Sequence, residues 1–123
     1  MPNNLIKIAK SFTYAFKGWR SAFKTQLNFR VQCLFAVAAI ALGFYLKIST
    51  NEWLWISLNI ALVLFAEMMN TALETLVDLV SPGYNEKAGR VKDIAAGAVT
   101  IMAINAALSG LYIFAPKLIL LFR

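Results

Sequence analysis

Three long apolar segments restrict this chain more than anything else in it. They cover residues 29–46, 53–66 and 94–115, and short polar connections separate them. A backbone in hydrocarbon has to satisfy its own hydrogen bonds, which a single segment does as a helix, and about 20 apolar residues suffice for one crossing. The first segment carries Arg30 and Gln32 only at its start and closes at Lys47 and the turn-prone Ser49, Thr50 and Asn51. The second continues past Ala66 into a polar half that Ser81, Pro82 and Gly83 end. The third holds no charge, with Pro116 and Lys117 at its exit.

Composition points to the same setting. The chain is 60% hydrophobic and only 15% charged, with a mean hydropathy of +0.67, although 123 residues would suffice for a charged-surfaced soluble domain. Its net charge of +6 fits an anionic leaflet better than nucleic acid, because the basic residues do not stand on a polar scaffold with exposed aromatics. No nucleic-acid partner is expected. The absence of histidine removes His-based catalysis, and the lone Cys33 permits no intrachain disulfide. Cys33 is read as packing.

The polar half of the second segment is the candidate chemical site. Glu67, Asn70, Glu74 and Asp78 follow one another at steps of 3, 4 and 4, so a helix gathers them on one stripe with Thr71 beside them. Carboxylates beside hydrocarbon cost a few kcal/mol each by insertion scales, on the order of 2–3. A cluster therefore calls for a use, such as cation binding or proton transfer. No deep lysine or arginine is available to Glu67 or Glu74 as an ion-pair partner.

Ahead of the spans, Leu5, Ile8, Phe12, Phe16, Trp19 and Phe23 share a narrow sector, with Lys7, Lys10, Lys17 and Lys24 away from it. This pattern predicts an amphipathic helix lying in the interface, lysines toward the headgroups, and not a cleaved signal. Six of the twelve basic residues precede position 31, and Lys87, Arg90 and Lys92 lie between the second and third spans. The positive-inside bias then places the amino terminus and the 81–93 loop in the cytoplasm of a bacterial plasma membrane, with the chain multi-pass. One domain is expected, with a surface helix over 1–27 and membrane helices over 29–47, 52–81 and 90–116.

The 81–93 loop adds Tyr84, Asn85, Glu86 and Lys87, then Arg90, Lys92 and Asp93. Carboxylates that hold Mg²⁺ beside lysines that neutralise phosphate are the parts phosphoryl transfer needs. The grouping reads as a nucleoside-triphosphate site, yet neither GxxxxGK[ST] nor GxGxxG occurs, so phosphate would rest on metal and side chains.

Glu67-Met68-Met69-Asn70-Thr71-Ala72-Leu73-Glu74-Thr75-Leu76-Val77-Asp78, followed by Ala88-Gly89-Arg90-Val91-Lys92-Asp93 and on to Gly97-Ala98-Val99, resembles the signature of the small prokaryotic integral-membrane diacylglycerol kinases. Their Gram-positive relatives phosphorylate undecaprenol. The resemblance extends to Tyr14 and Lys17-Gly18 in the surface helix and covers nearly the whole chain. It implies an all-α homotrimer of three-span subunits with cytoplasmic-side sites between protomers. It also implies ATP and a lipid alcohol as substrates, the usual product being phosphatidic acid from diacylglycerol. Glu67 would then be the base facing the lipid hydroxyl, with Asn70 beside it, and Glu74 would hold the Mg²⁺ that accompanies ATP. Lys7, Tyr14, Gly83, Tyr84, Asn85, Lys92 and Asp93 would meet the nucleotide, and Asp78 matches a further acidic position. Many relatives carry a second glutamate metal ligand where this chain has Gln26. An amide oxygen can still coordinate the ion but brings no charge, which leaves more of the metal's charge to Glu74 and Asp78.

Structural roles compete for several of these positions. Thr71 and Thr75 are expected to bond back to helix carbonyls, and Asn59 and Asn105 to bridge helices. Ala95, Ala96, Gly97, Ala98 and Gly110 are expected to allow close helix approach, and Trp53 and Trp55 to anchor at the interface. Two other functional classes fit parts of the pattern. A proton-coupled exporter would also place a glutamate in a membrane helix but has no use for the Lys92-Asp93 loop. A non-catalytic basic surface protein leaves the carboxylate stripe unexplained.

Overall fold

The computed structural model describes residues 2–123, and the fold is all-helical. Four helices follow in order: α1 (Pro2–Thr25), α2 (Leu27–Leu46), α3 (Thr50–Val80) and α4 (Glu86–Leu121). The last three are long and apolar enough to cross a membrane, and the chain is a three-span, multi-pass membrane protein preceded by an amphipathic helix. The apolar stripe of α1 from Leu5 to Phe23 is uncovered by the rest of the chain, as a surface-lying helix requires.

The break between α1 and α2 is one residue wide. Gln26 takes extended dihedrals, φ −116° and ψ 111°, and its side chain makes no cap bond. Arg30 makes the bond instead, reaching back so that Nη1 donates to the Phe23 carbonyl at 2.8 Å and the Lys24 carbonyl at 3.0 Å. A guanidinium at the last turn of α1 satisfies orphan carbonyls and opposes the negative end of the helix dipole. It also ties the surface helix to the first span. Ala22 and Phe29 are buried at this corner, and Gly18 brings α1 against α3, where an added Cβ would stand 3.8 Å from Met68 Cε.

The far end of the bundle is knit most tightly. α2 closes on Lys47 in the left-handed region, φ 52°, with the Ile48 N–H returning to the Gly43 carbonyl at 3.2 Å. Ser49 then caps α3 reciprocally. Its Oγ accepts from the Glu52 N–H at 3.2 Å while Glu52 Oε1 accepts from the Ser49 N–H at 2.9 Å. The same carboxylate oxygen takes Lys117 at 3.3 Å. Ile48, Ile56, Ile113 and Phe114 form a buried cluster there, with Trp53 and Leu118 packed on it.

Two details depart from the sequence expectations. The expected third span stopped at residue 116, but α4 runs through Pro116 to Leu121. Proline removes one backbone donor, a local cost, and Phe114, Lys117 and Leu118 on either side are all engaged with α3 or the cluster. Within the chain, Gly97 and Gly110 have open space beside them, and the close approach falls at Gly43. A Cβ there would lie 2.6 Å from Trp53 Cη2, so Trp53, half-buried with its ring 4.8 Å from that of Phe44, is a packing residue as well as an interface aromatic. Gly43→Ala is expected to lower stability by about 1–3 kcal/mol through overpacking. Thermal unfolding in detergent measures it, and a melting temperature at or above that of the unchanged protein would show that Trp53 yields freely.

Candidate functional site

Helix length places the carboxylate stripe. α3 has 31 residues, about 46 Å at 1.5 Å per residue, against a hydrocarbon thickness of about 30 Å. With the Ser49 end of α3 at one boundary, roughly twenty residues cross and the remainder projects. Glu67 then sits just inside the opposite boundary and Asn70 at it, with Glu74 and Asp78 beyond.

Glu67 is 3% exposed and, with Asn59, one of two buried polar residues among those described. It forms part of a cleft of about 400 Å³ whose walls are Asn28, Val31 and Gln32 of α2 and Val99, Thr100 and Ala103 of α4. Gln32 of α2 borders this cleft together with the Glu67 carboxylate of α3. No lysine or arginine borders the cleft. A second, apolar groove of about 660 Å³ continues from it between α2 and α4, with Ile56, Ile60 and Val63 of α3 as its floor. Gln32, Ala103 and Ala107 border both, so the polar cleft opens into an apolar channel along the bundle.

One turn below Glu67, Asn70 Nδ2 donates to Glu74 Oε1 at 3.3 Å. Asn70 Oδ1 is buried without a hydrogen-bond partner among the described residues. A buried orphan acceptor beside a carboxylate is a costly arrangement unless something fills it. The Glu74 carboxylate and the Asn70 carbonyl oxygen are the donor types that suit a hard cation such as Mg²⁺, which takes one or two protein oxygens and completes its shell with water and phosphate. Among the described residues no three acidic, cysteine or histidine side chains converge as a metal cage.

Next along the stripe, Asp78 pairs with Lys92 of α4, Nζ to Oδ1 at 2.6 Å, with the side chains 65% and 40% exposed. An ion pair so exposed contributes little stability, about 0–1 kcal/mol. It is readily exchanged for a phosphate oxygen, but here it takes up the charge that Asp78 would offer a metal. Asp93 follows on the exposed start of α4. Gly83 and Tyr84 lie in the loop, Tyr84 99% exposed, whereas Asn85 caps α4, its Oδ1 accepting from the Lys87 and Ala88 N–H groups. Lys7 and Tyr14 are exposed on α1, with Lys17 Nζ 5.7 Å above the Tyr14 ring. Among the described residues neither hydrogen-bonds to the stripe or the loop. Gln26 is half-buried at the α1–α2 corner, its side chain unused in capping.

The structure therefore joins Glu67 to its cleft, Asn70 to Glu74 and Asp78 to Lys92, and leaves the α1 residues and the loop unjoined. Gln32 was visible in the sequence only as a polar residue at the start of a span. Nothing in its spacing points at Glu67, because the two meet across a helix interface. The structural roles expected of other polar groups hold. Thr71 and Thr75 donate to the carbonyls of Glu67 and Thr71 at 3.0 and 2.9 Å. Asn105 Nδ2 donates to Asn59 Oδ1 at 2.9 Å, which joins α4 to α3 at mid-span.

Similarity to known proteins runs over nearly the whole chain. The family described as Prokaryotic diacylglycerol kinase matches residues 13–114. The undecaprenol kinase of Bacillus subtilis strain 168 is 39% identical over 117 residues, 94% of either chain. A diacylglycerol kinase of a Synechocystis species is 40% identical over 119 residues, 96% of this chain and 66% of the relative. The diacylglycerol kinase of Escherichia coli K12 is 30% identical over 112 residues, 89% of this chain and 92% of the relative.

Proposed function

Because the chain belongs to the prokaryotic diacylglycerol kinase family, and is with it a lipid kinase, we propose that it transfers the γ-phosphoryl group of ATP directly to the primary hydroxyl of a membrane lipid, with diacylglycerol giving phosphatidic acid. One observation carries this assignment to Glu67: a buried carboxylate with no cation beside it ends an apolar groove that opens between two membrane helices. A lipid tail lies in that groove and its hydroxyl meets Glu67. The lipid O–H passes its proton to the carboxylate as the oxygen bonds to the γ-phosphorus, and the bond from that phosphorus to the bridging oxygen breaks to release ADP.

Asn70 Oδ1 and Glu74 would hold Mg²⁺ brought with the nucleotide, and the ion would supply charge that offsets that of the phosphates. Lys92 exchanges Asp78 for a phosphate oxygen, and Asp93, Gly83 and Tyr84 border the nucleotide, with Asn85 holding the start of α4 beneath it. The lysine-bearing face of α1, with Lys7 and Tyr14, closes the site at headgroup level, and Gln26 and Asp78 stand as outer candidates near the metal. The assembly is a homotrimer in the bacterial plasma membrane, its amino terminus and site facing the cytoplasm, where ATP is.

A second reading of the acceptor has its own support. The undecaprenol kinase relative matches this chain end to end, and a polyprenol also presents a primary hydroxyl on an apolar tail. Turnover of the purified protein on diacylglycerol and on undecaprenol in the same mixed micelles separates the two. Diacylglycerol is expected to give the higher kcat/KM, and a preference for undecaprenol would reassign the acceptor. No phosphorylated product from any lipid alcohol, together with proton-coupled export by reconstituted vesicles, would remove the kinase assignment for this chain.

A further inference from the structure

Among the described residues no cation shares a cleft with Glu67, and the side chains around it are neutral. A carboxylate at the edge of hydrocarbon is ordinarily held by a lysine or arginine, yet neither cavity here is bordered by a cation, and α2 brings the Gln32 amide to the cleft that Glu67 lines. Thr71, the nearest hydroxyl on the same helix, is turned to the Glu67 backbone carbonyl and leaves the carboxylate alone. Gln32 also stands where the polar cleft joins the apolar groove, bordering both.

We infer that Gln32 is a positioning residue for the phosphoryl transfer: its side-chain amide fixes one Glu67 oxygen so that the other faces the acceptor hydroxyl at the mouth of the groove. The inference rests on the lipid-kinase role of Glu67. An amide serves this purpose where a cation would not. It donates N–H to the carboxylate and offers its own carbonyl as an acceptor, so it sets direction without neutralising the charge that makes Glu67 a base. Its place on α2 makes the orientation a property of the α2–α3 interface, and the Arg30 strap two residues earlier ties that turn of α2 to the surface helix.

The test uses the full-length protein in mixed micelles, as Gln32→Met and Gln32→His beside the unchanged chain. Methionine keeps the length and volume of the side chain and removes the donor, while histidine restores an N–H at similar reach. Gln32→Met is expected to lose kcat on the order of 100-fold, the scale of a misdirected reacting group, with the KM for ATP and the melting temperature unchanged. Gln32→His should recover much of that loss. Unchanged kcat in Gln32→Met overturns the inference, as does a loss that tracks a lower melting temperature and is no smaller in the histidine variant. An unchanged chain that phosphorylates no lipid alcohol would defeat the underlying kinase role instead, which separates the two failures.

Discussion

Glu67→Gln is expected to lower kcat for lipid phosphorylation by about 10²–10⁴-fold, the range associated with losing a general base. Glutamine is nearly isosteric, so the cleft should keep its shape. The folded state has no reason to weaken. Glu67 is buried without a cation, and an uncharged amide at that depth is less costly than a carboxylate. The melting temperature in detergent should hold or rise while turnover collapses. A mutant with near-normal kcat would show that Glu67 does not take the hydroxyl proton, whatever else it does in the cleft.

Glu74→Gln should act on a different axis. It removes the charge beside the orphan Asn70 carbonyl and leaves the geometry of the pair, which is now 3.3 Å from donor to acceptor. Loss of such a group is expected to raise the Mg²⁺ concentration needed for half-maximal turnover by about 10–100-fold, with partial recovery at high Mg²⁺. The effect should be large because few other protein charges are at hand. Gln26 brings none, and Asp78 lies a further turn along α3. A Mg²⁺ titration of turnover measures the shift, and an unchanged midpoint would move the metal away from α3.

The two variants together separate the stripe by depth. On the proposed roles Glu67 serves the lipid hydroxyl and Glu74 the metal, so one should lose chemistry at all Mg²⁺ concentrations while the other loses affinity for the ion. This division also explains why the stripe begins inside the membrane boundary and ends outside it. A lipid hydroxyl and a triphosphate come from opposite solvents, and a helix longer than the hydrocarbon is thick can present one group to each.

Local patterns exposed much of this in advance. The 3-4-4 spacing of Glu67, Asn70, Glu74 and Asp78 needs only helical periodicity to become a stripe, and the apolar sector of α1 needs only the same. Ser49 with Glu52, and Asn85 ahead of α4, are capping signals of one turn's range that reading Ser49 as a turn residue and Asn85 as a nucleotide contact passed over. What stayed hidden depends on which helix faces which. Gln32 and Glu67 line one cleft from two helices, the Asp78–Lys92 pair spans a loop, and Gly43 takes its meaning from the Trp53 ring laid against it. Pro116 misled in the other direction, since a strong local stop signal lost to the packing of Phe114 and Leu118 and to the Lys117–Glu52 pair.

The sequence by itself determined that this chain is three membrane helices behind an amphipathic one, and it marked the polar end of the second span as the candidate site. Both follow from the cost of polar groups in hydrocarbon and from the period of the helix, which act within one segment. Tertiary structure alone decided that the Glu67 carboxylate shares its cleft with the Gln32 amide beside an apolar groove, that Asn70 Oδ1 has no hydrogen-bond partner among the described residues, and that Asp78 pairs with Lys92. Those outcomes depend on interhelical register, which is set by packing between segments far apart in the chain.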